Sequence, residues 1–201
     1  MVGLIENESH VTTQWFKDED DVVILLGEPV DTEDLLEGLG GSAYLQVLHD
    51  IKSGRPPRCD LDAERTLGAT LLGLIQSGLV KGAHDCSEGG LAVALAECCF
   101  SKFEARNTPR FLGVEVDLSE IMDTRPDALL FGETTGRVII TTSELDSVKA
   151  VERARLMGVP AQRIGTVGGA ELRIKTQIDD YTWEVAGLHD LWWNAIGNAM
   201  A

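Results

Sequence analysis

From Gly82 to Glu97 the chain reads Gly-Ala-His-Asp-Cys-Ser-Glu-Gly-Gly-Leu-Ala-Val-Ala-Leu-Ala-Glu. His84, Asp85, Ser87 and Glu88 crowd hydrogen-bonding groups together, and Gly89 and Gly90 close the loop on an alanine-rich helix. Glycines let the backbone turn tightly and let a ligand or a strand come close. A helix start presents unpaired N–H groups and the positive end of a dipole, so it can receive an anion. Asp85, Ser87 and Glu88 could hold a ligand hydroxyl, Mg²⁺ or the water around a phosphate, with amides near Gly89 and Gly90 on the phosphate itself. The plainer alternative is that Asp85 or Ser87 caps the helix while the glycines permit packing.

A second polar group is Glu133-Thr134-Thr135-Gly136-Arg137, set between two apolar runs. Glu133 and Thr134 could contact a substrate, and Arg137 could grip a phosphate or carboxylate by a two-pronged hydrogen bond. The alternative is a hairpin turn with an internal Glu133–Arg137 pair. A third group, Gly38 to Tyr44, places glycines and Ser42 before a helix but lacks the P-loop lysine and the dinucleotide spacing. It reads either as a phosphate cradle or as a turn with a Ser42 cap. His84 and His49 are candidate acid–base groups or packed residues. No nucleophile–His pairing follows from sequence order, so no catalytic residue is assigned, and no metal ligand.

These groups need a scaffold. Asp21–Gly27 is a β-branched apolar run closed by glycine, a buried strand. Glu28–Gly41 reads as an exposed acidic loop, and Ser42 caps a helix over Ala43–Ile51 with Tyr44, Leu45 and Leu48 on one face. Asp62 is the expected cap of a helix to about Gly78, with Ala63, Leu67, Thr70, Leu71, Leu74 and Ile75 at helical spacing. A short strand at Ala83–His84 leads through the signature loop into a helix over Leu91–Phe103. Strands are expected at Phe111–Val116, Ala128–Phe131 and Arg137–Thr142, and a helix at Glu144–Met157. Arg163–Val167 and Glu171–Lys175 should form a hairpin about Gly168-Gly169, with Tyr181–Ala186 beside it. Leu188–Met200 reads as a terminal helix, and Trp183, Trp192 and Trp193 as core or interface. Mixed strands and helices without regular βαβ alternation indicate an α+β fold, layered α/β/α with a mixed sheet.

The chain has 201 residues, 44% hydrophobic and 25% charged, enough for one sizeable core. A net charge of −16 argues against nucleic acid or an anionic membrane as partner. Cys59, Cys86, Cys98 and Cys99 make no CxxC pair and no zinc spacing, which fits a reduced, cytoplasmic protein. No apolar run approaches a bilayer span, and no signal peptide is evident.

Taken together, Gly82–Glu97, Gly41-Ser42-Ala43-Tyr44-Leu45 and Leu130-Phe131-Gly132-Glu133 through Arg137 resemble segments of the phosphoribosylformylglycinamidine synthase family. Val2–Glu6 and His10–Thr13 resemble the stretch that leaves its preceding domain, so the likeness runs from Val2 to about Lys175. The resemblance implies the C-terminal-type half of an enzyme of purine biosynthesis in the aminoimidazole ribonucleotide synthetase superfamily. It implies residues 1–20 as a remnant of a preceding ATP-binding domain, 21–176 as the C-terminal-type domain and 177–201 as an extension, with Met1 an internal start. The family's ATP and Mg²⁺ would be held mainly by the N-terminal-type half, with nothing bound tightly here. Its ammonia would come from a glutaminase subunit, with a small accessory subunit in the assembly. The polypeptide alone would have no synthase activity, and His84–Gly90, Glu133 and Arg137 would form one wall of a cleft. The competing expectations are another enzyme of the superfamily and a free-standing domain that only binds a nucleotide or a partner.

Overall fold

The computed structural model describes residues 4–28, 34, 36, 38–104, 108–121 and 125–200, with the backbone alone for 101–104 and 108–109. Val2, Gly3 and most of 29–37 therefore lie outside the described residues, including part of the expected acidic loop. Leu4 and Ile5 are exposed and in no strand.

The first strand, β1 (Val22–Leu26), is buried on both faces. Val22, Ile24 and Leu26 pack into one apolar cluster, while Val23 and Leu25 point into the other. Side chains alternate along a strand, so an unbroken apolar run serves two cores at once. Each such buried side chain is worth about 1.5–3 kcal/mol relative to exposure. The sheet around it has seven strands: β2 (Gly82–Asp85), β6 (Val138–Thr142), β1, β7 (Ala161–Val167), β5 (Val114–Asp117), β8 (Glu171–Lys175) and β9 (Asp180–Glu184), in that order across. All neighbours are antiparallel except β5 and β8, so the sheet is mixed.

One face carries α2 (Leu61–Gln76) and α5 (Glu144–Leu156), through Leu67, Leu74, Ala150 and Ala154. The other carries α3 (Gly90–Cys99), α4 (Pro126–Phe131) and the start of α6 (Val185–Trp193). The layering is α/β/α. Before β1, Thr13 bridges to Gly82 at the sheet edge, and Phe16, 2% exposed, enters the core.

Several elements depart from expectation. Residues 126–131 are helix, not strand: Pro126 suits a first helical turn because its fixed φ is already helical and its missing N–H is not needed there. The helix after the signature loop stops at Cys99. Phe100 opens β3 (Phe100–Glu104), which pairs with β4 (Thr108–Phe111) in a separate two-stranded sheet. The strand expected over 111–116 is split at Gly113, where a Cβ would sit 2.4 Å from the Glu171 carbonyl. The expected hairpin does not form, because β5 lies between β7 and β8 and pairs with both.

Asp60, not Asp62, caps α2, accepting from the amides of Asp62 and Ala63; Ala63 itself is exposed. The short α1 (Ala43–His49) buries no residue, and Leu48 faces solvent. In contrast, Gly38 and Leu39, expected in an exposed loop, are buried. The terminal helix is two pieces, α6 and α7 (Ala195–Met200), and Trp192 and Trp193 are half-exposed rather than core. Among the described residues, no helix is long and apolar enough to cross a membrane.

Candidate functional site

Strand pairing brings the two polar groups together. β2 runs antiparallel to β6 with Asp85 opposite Val138. The loop leaving β2 and the turn entering β6 thus leave the same end of the sheet, and the Cys86 amide donates to the Arg137 carbonyl at 3.0 Å. Between them lies a cleft of about 610 Å³ whose walls include Asp85, Ser87, Glu133, Thr134 and Arg137. Five of the residues singled out from sequence therefore meet, although about fifty positions separate the two groups.

The chemistry of each is specific. Ser87 Oγ donates to Asp85 Oδ2, and that hydrogen bond holds the Asp85 carboxyl below the usual range, so it stays anionic at neutral pH. Arg137 is 2% exposed, and Nη2 donates to the Gly132 carbonyl. Burial pulls its guanidinium below the ordinary arginine value, partly offset by Cys86. Its bond to Gly132 makes Arg137 a brace inside the turn. Thr134 Oγ1 is buried with no hydrogen-bond partner among the described residues. Burial pushes the Cys86 thiol up to about 11, so it is not a nucleophile at neutral pH.

The anion at the helix start is the protein's own. Gly89, in the left-handed region at φ 81°, provides no side-chain cap for α3. Glu133 Oε1 instead accepts from the Gly89 amide at 2.9 Å, and the same oxygen accepts from the Ala43 amide at 2.8 Å. Neither Asp85 nor Ser87 caps this helix. Gly90, at φ 69°, brings α3 against the end of α4, where a Cβ would lie 2.7 Å from the Gly132 carbonyl.

The remaining candidates are placed elsewhere. His84 Nε2 is 2.8 Å from Glu97 Oε2 and Nδ1 is 3.5 Å from Asp85 Oδ1, so the ring ties β2 to α3 and does not line the cleft. Glu88 is exposed and does not line it either, nor do Gly89 and Gly90. Ser42 is buried and spends its hydroxyl locally, donating to the Leu39 carbonyl at 2.7 Å and accepting from the Leu45 amide at 3.2 Å. It caps α1 and does not line this cleft. Thr135 and Gly136 of the second polar group line the walls too, and sequence reasoning missed Cys59 and Glu64, which also line them. Glu64 lies in the acidic first turn of α2, a signal that reads as dipole compensation and not as a site.

A second cleft of about 610 Å³ lies across α1, where Tyr44, Leu45 and His49 face Arg55, Arg58 and Arg125. Among the described residues no group of three or more His, Cys, Asp and Glu could hold a metal ion.

Comparison with known proteins agrees with the motifs. A family model described as AIR synthase related protein, C-terminal domain, matches residues 18–176. Among curated proteins the chain is similar to phosphoribosylformylglycinamidine synthase subunit PurL of Anaeromyxobacter dehalogenans, 38% identical over 178 residues, 87% of this chain and 22% of that protein. It is likewise 37% identical over 175 residues to the same subunit of Moorella thermoacetica, again 87% of this chain and 22% of the relative. The chain thus spans 22% of the length of these relatives. Solved Thermotoga maritima PurL shares the fold: the form complexed with FGAR superposes with a TM-score of 0.69 at 21% identity, covering 90% of this chain and 30% of that one. The form complexed with ATP gives 0.66 at 21% identity, over 90% of this chain and 27% of that one.

Proposed function

The chain belongs to the AIR synthase related protein, C-terminal domain family, and from that premise we propose that it serves a phosphoribosylformylglycinamidine synthase. In that reaction the amide oxygen of formylglycinamide ribonucleotide (FGAR) attacks the terminal phosphorus of ATP and ADP leaves. Ammonia then adds to the activated carbon, and phosphate departs with the oxygen, giving the amidine. The observation that carries this reading is the 38% identity over 178 residues to a synthase subunit. The meeting of Asp85, Ser87, Glu133, Thr134 and Arg137 in one cleft supports it.

The domain, taken as residues 21–176 with 1–20 leading in and 177–201 as an extension, supplies one wall. Arg137 braces the turn, Ser87 and Asp85 offer a hydroxyl and a fixed negative charge, and no proton transfer is assigned to them. With Glu133 already on the Gly89 amide, this wall positions and encloses the reactants, and phosphate binding falls to other parts of the enzyme. Nucleotide and Mg²⁺ are held mainly by upstream domains, and a glutaminase subunit with a small accessory subunit delivers ammonia in the cytoplasm.

The test is complementation. A PurL relative truncated before the matching 22% should regain ammonia-dependent formation of ADP and amidine when this chain is added, and the chain alone should turn over nothing. Turnover by the chain alone, or no recovery despite complex formation, contradicts the proposal. Micromolar binding of ATP by the isolated chain in calorimetry would favour the reading as a free-standing binding domain.

A further inference from the structure

One carboxylate oxygen serves two distant parts of the chain. Glu133 Oε1 accepts from Ala43 N–H at 2.8 Å and from Gly89 N–H at 2.9 Å. The Glu133 amide in turn donates to the Gly38 carbonyl at 2.8 Å, so the residue is held from both its backbone and its side chain. That contact is close-packed: a Cβ on Gly38 would lie 2.8 Å from Thr134 Cγ2 and 2.9 Å from the Glu133 nitrogen.

The two donors adjoin different clefts, without lining either. Ala43 opens α1, whose Tyr44 and Leu45 wall the cleft that holds Arg55, Arg58 and Arg125. Gly89 closes the loop that carries Asp85 and Ser87 into the cleft shared with Arg137. Each amide helps to hold the Glu133 side chain in one rotamer. When one amide withdraws, the carboxylate is held by a single partner and the other amide opens more readily. Groups that share a hydrogen-bonded partner are energetically coupled in this way, and the coupling acts in both directions.

We infer that Glu133 is a positioning residue that couples the two clefts, so that loosening the start of α1 loosens the Asp85–Gly89 loop. The coupling follows from this geometry and stands or falls independently of the synthase reading.

Hydrogen exchange of assigned amides in the full 201-residue chain tests it. Ser42→Ala removes the local cap of α1. It should speed exchange at Ala43 and, roughly threefold or more, at Gly89, with the Ala63 amide as an unaffected control. Glu133→Gln keeps an acceptor oxygen and should preserve the linkage. Glu133→Ala should abolish it, so that adding Ser42→Ala no longer changes Gly89. Faster exchange at Ala43 with Gly89 unchanged, in the otherwise native chain, overturns the inference. That comparison needs only Ser42→Ala, so it decides the matter even if Glu133→Ala fails to fold.

Discussion

The helices α2 and α5 begin in one way and α3 in another. Asp60 Oδ1 accepts from the amides of Asp62 and Ala63 at 2.9 and 3.0 Å, and Ser143 Oγ accepts from Asp146 at 3.3 Å. In both cases the acceptor sits within three residues of the donor. For α3 the cap position is Gly89, and the acceptor is Glu133, 44 residues away. Either arrangement relieves the unpaired amides of a first turn. Their consequences differ. A local cap stabilises its own helix and nothing else, whereas the remote one makes the position of the signature loop depend on where the turn after α4 lies. The start of α2 is capped from its own chain even though Glu64 of its first turn reaches the cleft, whereas the start of α3 is held by Glu133 from the turn that forms the cleft's other wall.

The largest effect should come from separating α3 from α4. In Gly90→Ala the new Cβ would lie 2.7 Å from the Gly132 carbonyl and 2.8 Å from the Phe131 carbonyl carbon, at a φ of 69°. These neighbours are backbone, so they cannot swing aside. Strain and overpacking together should remove about 3 kcal/mol of stability, measured by urea unfolding. A loss under about 1 kcal/mol, the level of an ordinary cap, would show that the α3 start tolerates displacement and would break the contrast.

The same contrast explains what could be read in the sequence. β1, β6, α2 and α5 were legible because their signals are local: an apolar run with β-branched residues, or helical spacing after a capping residue. The insertion of β5 between β7 and β8 was not, because Gly168-Gly169 looks the same whether its flanking strands pair or straddle a third. Pro126 followed by Asp127 was a usable helix-start signal, outweighed by the apolar run Ala128–Phe131 that follows it. At the site, Asp85, Ser87, Glu133, Thr134 and Arg137 were legible as polar residues in glycine-rich loops. Their convergence was visible only once β2 was seen to pair with β6. The role of Glu133 as the cap of α3 could not be read from residue types, because a cap is ordinarily sought among the residues next to a helix. Cys59 carried no distinguishing pattern, and the acidic first turn that holds Glu64 reads as compensation of the helix dipole.

On the local side of the comparison the expected loss is smaller. Asp60→Ala leaves the Asp62 and Ala63 amides to water, since the cap is exposed, and should cost about 1 kcal/mol. The measurement is again the urea midpoint, now with amide exchange at Gly89 as a second readout. Exchange at Gly89 should not change. If it rises, α2 communicates with the signature loop after all, and the distinction between local and remote caps weakens.

The smallest effect concerns Asp117, an exposed group, and its sign follows from the direction of its shift. Asp117 Oδ1 accepts from the Ser119 amide at 2.9 Å and from the Ser119 hydroxyl, while Lys175 Nζ lies 3.0 Å from Oδ2. The Ser119 hydroxyl, then the Ser119 amide and Lys175, hold the carboxyl at about 2, below the ordinary 3.8. A carboxylate whose folded value is depressed adds stability above its unfolded value and loses it as pH falls through the folded one. The contribution should therefore be complete above about pH 4 and vanish towards pH 2. Because the side chain is 54% exposed, solvent screening reduces this to under about 1 kcal/mol. Asp117→Asn should flatten the stability profile over that interval by this small amount and leave it parallel to the native chain above it. A larger change, or one that reaches Gly89 exchange, would place Asp117 in the long-range network with Glu133, because it is Ser119 and Lys175, not Glu133, that close its carboxylate.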